Sequence, residues 1–177
     1  MSAQDDLYNE AINEYGPSLE RLARAYEAEN EDRRDLLQEI HIAIWRSFEL
    51  YNARCSVRTW IFRVAHNVAV SRVMRKRRFL SDLASLEDLE TLPDPAAEHS
   101  ADQKPTLDQV WELIQQLKPL DRQVIVSYLE EMDAASIGDV TGLSPQNVAT
   151  RIHRIKNLLA RRYQKGVSDD RRQPKQR

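Results

Sequence analysis

Cysteine, glycine and aromatic residues are scarce in this chain of 177 residues, which has one cysteine, four glycines and 7% aromatic residues. Because the lone cysteine, Cys55, cannot form an internal disulfide, we expect a cytoplasmic protein in a reducing compartment. No apolar run approaches the ~20 residues that cross a bilayer, so we expect no membrane insertion. The first 15 residues are acidic and polar, which argues against a secretory signal.

Motifs of enzymes are also missing. The sequence has no glycine-rich phosphate loop and no nucleophile motif, and its histidines lack the spacing of metal ligands. The histidines are His41, His66, His99 and His153. We therefore predict a protein that is not an enzyme and that has no catalytic residues, no metal and no cofactor.

Charged residues, by contrast, make up 31% of the chain, and a charge-rich, glycine-poor composition favours helices over sheets. Residues 81–105 combine prolines, small residues and acids without a sustained apolar period, which is typical of a linker. We predict an all-α fold in which this acidic flexible linker joins two small helical domains, residues 6–80 and 106–165. The second domain contains a helix-turn-helix, and the basic tail, residues 166–177, is expected to be disordered.

The spacing of apolar residues predicts the helices of both domains. In the first domain they cover about 6–28, 32–48 and 57–79, and in the second about 107–117, 121–130, 134–141 and 145–164. We expect Asp32 and Asp121 to cap the helices that begin beside them, because a carboxylate at that position accepts a hydrogen bond from the first turn.

Basic residues are concentrated in two places, although the net charge is −2. One cluster ends the third helix, and the chain becomes basic again from Arg151 onward, with acids predominating between the two. Two separate basic patches indicate two contacts with nucleic acid, although either run by itself also fits a solvated helix face. The basic cluster of the third helix consists of Arg72, Arg75, Lys76, Arg77 and Arg78.

Residues 135–152 have the pattern of a helix-turn-helix. Gly142 suits the left-handed turn, Ser144 can cap the following helix, and Pro145 fits its first position. At about 100° per residue, the second helix separates an apolar face from a polar one that suits base edges and phosphates. The alternative is an amphipathic helix in an ordinary bundle. The polar face presents Gln146, Asn147, Thr150, Arg151 and Arg154.

Three stretches resemble the sigma-70 family of RNA polymerase sigma factors. Residues 32–45, DRRDLLQEIHIAIW, look like its polymerase-binding helix, and residues 57–69, VRTWIFRVAHNVA, resemble its promoter-melting segment. Residues 122–125 and the helix-turn-helix match its C-terminal domain. With only these two domains, the chain is most similar to the extracytoplasmic-function (ECF) group. The resemblance implies an alternative sigma factor that binds core RNA polymerase and directs transcription initiation at promoter DNA through the −10 and −35 elements.

The resemblance also implies roles for single residues. Asp35, Gln38 and Glu39 would bind the clamp helices of the polymerase's largest subunit, and the flap of the second-largest subunit would be a further contact. The basic cluster would hold phosphates, the helix-turn-helix would read the −35 element, and an anti-sigma factor is a common partner in the group. An opened −10 strand would be captured by Tyr51, Trp60, Arg63 and Asn67, although Trp60 also fits a core position.

Other classes of protein stay open at this point. A helix-turn-helix regulator that does not bind polymerase would need a sensor domain, and an adaptor made of helical bundles would leave the two basic patches unexplained. An enzyme acting on nucleic acid has no motif to support it. One departure from the family is Glu131-Met132-Asp133, which stands where a glycine-containing turn is common.

Overall fold

The computed structural model describes residues 3–86 and 107–170, which form helices connected by short turns. No strand occurs in these two ranges, so the predicted all-α fold is confirmed. The helices are α1 (Ala3–Tyr26), α2 (Asn30–Ser47), a 3₁₀ turn (Phe48–Leu50), α3 (Val57–Leu86), α4 (Leu107–Gln115), α5 (Pro119–Leu129), α6 (Ala134–Thr141) and α7 (Pro145–Asp170).

Two helices continue past their predicted ends. Helix α3 reaches Leu86 instead of stopping near Phe79, so residues 81–86 of the predicted linker are helical. The reason is that no proline or glycine interrupts the chain there. Helix α7 reaches Asp170, so the predicted disorder of the tail is wrong for residues 166–170. The remainder of the linker and of the tail lies outside the described residues.

Both predicted aspartate caps are wrong. Glu29 precedes α2 and Lys118 precedes α5, so Asp32 and Asp121 lie within the first turns of these helices. Pro119 explains the early start of α5, because proline is well suited to the first helical position. Both carboxylates form ion pairs with other helices instead, as described below.

Each half of the chain has a core made from the predicted apolar stripes. Helices α1, α2 and α3 pack together over Leu22, Leu36, Ile40 and Phe62, all completely buried. Helices α4 to α7 pack over a second set, Ile114, Val124, Ile137, Val148 and Ile155, each at most 1% exposed. The buried residues of both halves belong to one continuous cluster.

The halves meet through α1 and α3 of the first and α4, α5 and α6 of the second. Glu130 is central to this contact, because its buried carboxylate accepts hydrogen bonds from Arg21 Nε and Nη2 at 2.6 and 2.7 Å. Arg58 donates to the backbone carbonyl of the same residue. Within the described ranges, α2 and α7 make no contact with the opposite half.

His66 joins the halves from the middle of α3. Its side chain is completely buried, with Nδ1 3.0 Å from the Tyr26 hydroxyl and Nε2 3.1 Å from the Ser127 hydroxyl of α5. Burial lowers the pKa of His66 to about 3, because the protonated ring would lose its hydration. The imidazole is therefore neutral in the folded protein at neutral pH.

The buried imidazole makes stability depend on pH. An unfolded histidine binds a proton below about pH 6.5, whereas His66 in the folded chain does so only near pH 3. Since the unfolded state then binds more protons, the free energy of unfolding should fall by up to ~1.4 kcal/mol per unit as pH drops below 6.5. Urea titrations at pH 7.5, 6.0 and 5.0 measure this slope. It should be shallower in His66→Gln, and an unchanged slope would contradict the assignment.

The turn before α6 contains a strained residue. Glu131 adopts a left-handed conformation with φ 59°, in the stretch Glu131-Met132-Asp133 where the resemblance implies a glycine-containing turn. A side chain costs roughly 1–2 kcal/mol in this region, and glycine avoids that cost. Glu131→Gly should therefore raise the free energy of unfolding by about 0.5–1 kcal/mol. Glu131→Ala, which keeps the Cβ atom, is the control, and equal urea midpoints for the two variants would refute the strain.

Candidate nucleic-acid interface

The predicted helix-turn-helix is formed by α6 and α7. Gly142 has φ 77° and its amide donates to the carbonyl of Gly138 at 2.8 Å, which confirms the left-handed turn. The Ser144 hydroxyl accepts from the amide of Asn147 at 3.3 Å, so the predicted cap of α7 is also confirmed. Asp133 caps α6 by accepting from the amide of Ser136 at 2.7 Å. Local hydrogen bonds thus fix both ends of α6 and the start of α7.

Gly138 brings the two helices of this motif close together. A Cβ atom at this position would lie 2.6 Å from the backbone carbonyl oxygen of Leu143, so only glycine fits without a backbone shift. The sequence did not reveal this requirement, because Leu143 reaches α6 only after the turn has folded back. Gly138 therefore sets the angle at which α7 leaves the turn.

The outer face of α7 is the predicted reading surface. Gln146, Asn147 and Thr150 are exposed, while Val148 and Ile155 on the opposite face are buried, as the helical spacing of the sequence predicts. The Thr150 hydroxyl donates to the backbone carbonyl of Gln146 at 3.0 Å. The Thr150 hydroxyl can therefore still accept a hydrogen bond, and the exposed amide side chains of Gln146 and Asn147 lie beside it at the start of the helix.

Arg151 and Arg154, on the next turn of α7, share one carboxylate of α5. Arg151 Nη1 lies 2.5 Å from Asp121 Oδ1, and Arg154 Nη2 lies 3.0 and 3.2 Å from the two Asp121 oxygens. The Asp121 side chain is 11% exposed and that of Arg154 is 64% exposed. Asp121 therefore orients both arginines, a role that the sequence did not indicate because the partners are 30 and 33 residues apart.

A second candidate surface surrounds the start of α3. The rings of Tyr51 and Trp60 meet edge to face at 5.4 Å between centroids, and the Arg63 guanidinium lies 4.7 Å above the Trp60 ring. Trp60 Nε1 donates to the Ser47 hydroxyl at 2.9 Å, which fixes this half-buried ring. Asn67 is exposed one turn beyond Arg63. The structure thus brings together three of the four side chains predicted to capture a strand and places the fourth beside them.

Much of the predicted basic cluster is paired with acids inside the protein. Arg72 donates to Glu27, Asp32 and Glu39 at 2.7 to 3.1 Å, and its side chain is only 13% exposed. Lys76 pairs with Glu27 and Asp32, and Arg75 pairs with Glu39. The pKa of Asp32 is lowered, chiefly by its hydrogen bond with Lys76. The remaining cluster residues, Arg77 and Arg78, are exposed.

The residues predicted to bind polymerase lie on α2. Asp35 and Gln38 are exposed, whereas Glu39 is half-buried because it faces Arg72 and Arg75 of α3. Glu27 and Asp32 pair with the same basic cluster as Glu39 does. The sequence did not indicate this pairing, since no local pattern shows which helices meet. Polymerase-binding and DNA-binding candidates therefore touch each other.

Family models match both halves of the chain. The model "Sigma-70 region 2" matches residues 11–89, and "Sigma-70, region 4" matches residues 107–159. The RNA polymerase sigma factor NccH of Alcaligenes xylosoxydans is 24% identical over 89% of this chain and 88% of its own. The ECF RNA polymerase sigma factor SigW of Bacillus subtilis is 25% identical over 87% of this chain and 83% of its own.

Two solved structures share the fold. The first, the sigma factor RpoE in complex with the anti-sigma factor NepR from Bartonella quintana, has a TM-score of 0.67 at 17% identity and covers 86% of this chain and 93% of its own. The second, CnrH in complex with the cytosolic domain of CnrY, has a TM-score of 0.62 at 22% identity and covers 89% and 87%.

A region 2 followed by a region 4 with an exposed reading helix defines a promoter-recognising subunit of RNA polymerase. The chain belongs to the sigma-70 family of RNA polymerase sigma factors, within the extracytoplasmic-function group. It is an alternative sigma factor, which binds core polymerase and directs initiation at promoters. The match in both halves disfavours a helix-turn-helix regulator that does not bind polymerase. Sigma factors regulate transcription and are not themselves catalysts.

None of the helices in residues 3–86 and 107–170 has the length and apolar character required to span a membrane. In the same ranges, no group of three or more His, Cys, Asp or Glu side chains is arranged to hold a metal ion.

The close approach at Gly138 gives a stability test of the motif. Gly138→Ala should lower the free energy of unfolding by about 1–3 kcal/mol, because the Cβ atom overlaps the Leu143 carbonyl. Gly16→Ala is the control, since its Cβ would lie 3.9 Å from Ile12 and alanine favours a helix by ~1 kcal/mol. Urea denaturation should shift in opposite directions for the two variants. A shift in the same direction for both would count against the packing constraint.

Proposed function

We propose that the two halves divide the work of promoter recognition between two kinds of DNA contact. The first domain, residues 6–80, captures an opened −10 strand, and the second, residues 106–165, reads the duplex −35 element. The observation that carries this division is that the two surfaces differ in chemistry. One is an aromatic cluster with polar edges, which suits unstacked bases, and the other is a helix face with amides and arginines, which suits a major groove.

At the −10 element, the Tyr51 and Trp60 rings form a wall against which an unstacked base can lie. Their edge-to-face contact and the hydrogen bond of Trp60 to Ser47 hold this wall in place before DNA arrives. Arg63 and Asn67 then supply hydrogen bonds to the base edge or to phosphate. Rings fixed in advance lose little entropy on binding, which favours capture of a strand that is open only briefly.

At the −35 element, Gln146, Asn147, Thr150, Arg151 and Arg154 contact base edges and phosphates from one face of α7. Asp121 contributes by restricting the two arginines, which reduces the conformational freedom that they lose when they bind DNA. Because α7 makes no contact with the first domain among the described residues, this face stays accessible while the halves are packed together.

Core polymerase is bound through the outer side of α2. Asp35 and Gln38 are exposed there, Glu39 lies beside them, and α2 also stays outside the contact between the halves. An acidic helix face is complementary to the basic clamp helices of the largest subunit. Such charge complementarity favours both correct orientation and rapid association.

The flap of the second-largest subunit docks on the second domain, in an apolar groove between α4 and α7. The groove is open to solvent, and Leu107 of α4 and Leu158 of α7 are also exposed. Apolar surface of this kind is expected where another protein binds. The groove is lined by Val110, Leu113, Leu159, Ala160 and Tyr163.

An anti-sigma factor regulates this chain in the cytoplasm, where the polymerase works. Support comes from RpoE of Bartonella quintana and CnrH, both of which share the fold and were solved in complexes, RpoE with an anti-sigma factor and CnrH with the cytosolic domain of CnrY. A regulator that blocked both the α2 face and the α4–α7 groove would prevent both proposed polymerase contacts at once.

Reconstitution with core polymerase tests these assignments. Purified chain added to core enzyme lacking sigma should give run-off transcripts from candidate promoters. Asp35→Asn on α2 and Val110→Asp in the groove should each weaken core binding about tenfold, because each removes one complementary contact. Titration with labelled core polymerase measures both affinities. Glu10→Gln, an exposed acid on α1, is the control.

The outcomes separate the proposals from one another. Failure of the unaltered chain to bind core or to produce transcripts would refute the polymerase assignment as a whole. Binding at full strength by Asp35→Asn or by Val110→Asp would refute the α2 face or the groove, respectively. Equal weakening by Glu10→Gln would mean that the loss in Asp35→Asn reflects net charge alone.

A further inference from the structure

A compact ion-pair network joins the middle of α3 to α2 and to the residue that follows α1. Arg72, at its centre, pairs with three acids, of which Glu27 has a side chain only 8% exposed. Glu27 directly follows α1, the other two acids belong to α2, and all the cations come from α3. The network consists of Glu27, Asp32, Glu39, Arg72, Arg75 and Lys76.

Glu39 belongs to both proposed binding surfaces. Its Oε1 accepts from Arg72 at 2.7 Å and its Oε2 accepts from Arg75 at 2.9 Å. The first surface is the polymerase-binding face of α2, and the second is the phosphate-binding cluster of α3. Because each oxygen already holds one arginine, a polymerase cation that approaches Glu39 must compete with them.

The two arginines differ in how firmly they are held. Arg72 keeps Glu27 and Asp32 even if Glu39 is withdrawn, and its side chain is 13% exposed. Arg75 is 66% exposed, and Glu39 is the one carboxylate that it pairs with among the described residues. An exposed pair of this type is worth ~1 kcal/mol or less, so it can open and exchange partners readily.

We propose that Glu39 is a shared carboxylate that shields Arg75 from DNA in the unbound sigma factor and releases it when polymerase binds. The inference rests on the proposed role of α2 in polymerase binding and assigns its regulation. When clamp cations take over Glu39, Arg75 is left without its internal acid and pairs with a promoter phosphate. Polymerase binding and promoter binding then strengthen each other by the same factor, as thermodynamic linkage requires.

The arrangement works as a local electrostatic competition and needs no change of fold. A phosphate and the Glu39 carboxylate are alternative anions for the same guanidinium, so one must leave before the other binds at full strength. The magnitude is modest, because a single exposed pair changes affinity by roughly threefold. An effect of this size is measurable by fluorescence anisotropy and separates the unbound chain from the holoenzyme.

Binding of the isolated full chain to a promoter fragment provides the first test. Glu39→Gln should raise the affinity about threefold and steepen the dependence of log affinity on log salt by about 0.9, the equivalent of one more phosphate contact. Glu31→Gln makes the same chemical change on α2, at an exposed residue outside the network, and should have a smaller effect. Equal gains in the two variants would overturn the proposal.

A double-mutant cycle assigns the gain to one arginine. Arg75→Gln should cost little affinity in the otherwise unaltered chain and about threefold in the Glu39→Gln background, since only there is Arg75 available to DNA. Equal losses in both backgrounds would overturn the proposal. Thermal melting of all variants checks that each is folded.

The third measurement uses unaltered Glu39 and so holds even if Glu39→Gln does not fold. Arg75→Gln should weaken promoter binding more in the holoenzyme than in the isolated chain, and an equal effect in both would refute the release. Direct titration of core polymerase with Glu39→Gln separates the two levels of inference. If Glu39→Gln binds core polymerase normally but binds DNA more tightly, the polymerase contact at Glu39 is refuted, and with it the release of Arg75 by polymerase. The shielding of Arg75 by Glu39 in the unbound chain would still stand. Weakened core binding without a gain in DNA binding would refute the shield alone.

Discussion

Burial of the middle of α3 is the constraint on which the rest of the structure depends. This helix packs on α1 and α2 from one side and on α5 and α6 from the other, so a polar residue at its centre must find partners in both halves. His66 does so, through Tyr26 and Ser127. A buried imidazole without such partners would be costly, and its protonation would be more so. Because α2 and α7 take no part in the contact between the halves among the described residues, their outer faces stay accessible.

Charged and polar side chains make specific contacts between the halves. Arg21 and Arg58 bind Glu130, and the Arg122 guanidinium lies 5.0 Å above the Tyr26 ring. Among the described residues, Arg58 Nε, Arg122 Nε and Trp111 Nε1 are buried at this contact without an acceptor. Each such donor costs about 1–3 kcal/mol of hydration. Polar interfaces of this kind between domains permit relative motion of the two halves.

Internal acids reconcile the net charge of −2 with the two proposed DNA-binding surfaces. Asp121 holds two arginines of α7, and Glu39 holds two arginines of α3. In both places a carboxylate orders the cations and lowers their attraction for polyanions. Such pairing weakens binding to nucleic acid in general. Contacts with DNA are then favoured only where both the geometry and the partner are correct. Charge along the sequence shows where cations are concentrated, whereas their availability depends on which acids the fold brings to them.

The sequence by itself determined the helices, the left-handed turn at Gly142, the cap at Ser144 and the two faces of α7, because these depend on neighbours within about four residues. It also carried the order of motifs that places the chain in its family. Only the tertiary structure decided that Asp121 orients Arg151 and Arg154, that Gly138 meets Leu143, and that His66 and Glu130 join the halves. The positions of Asp32 and Asp121 predicted caps, yet both carboxylates pair with distant cations. The reason is that charges and packing act between residues brought together by folding, and a local pattern does not specify that pairing.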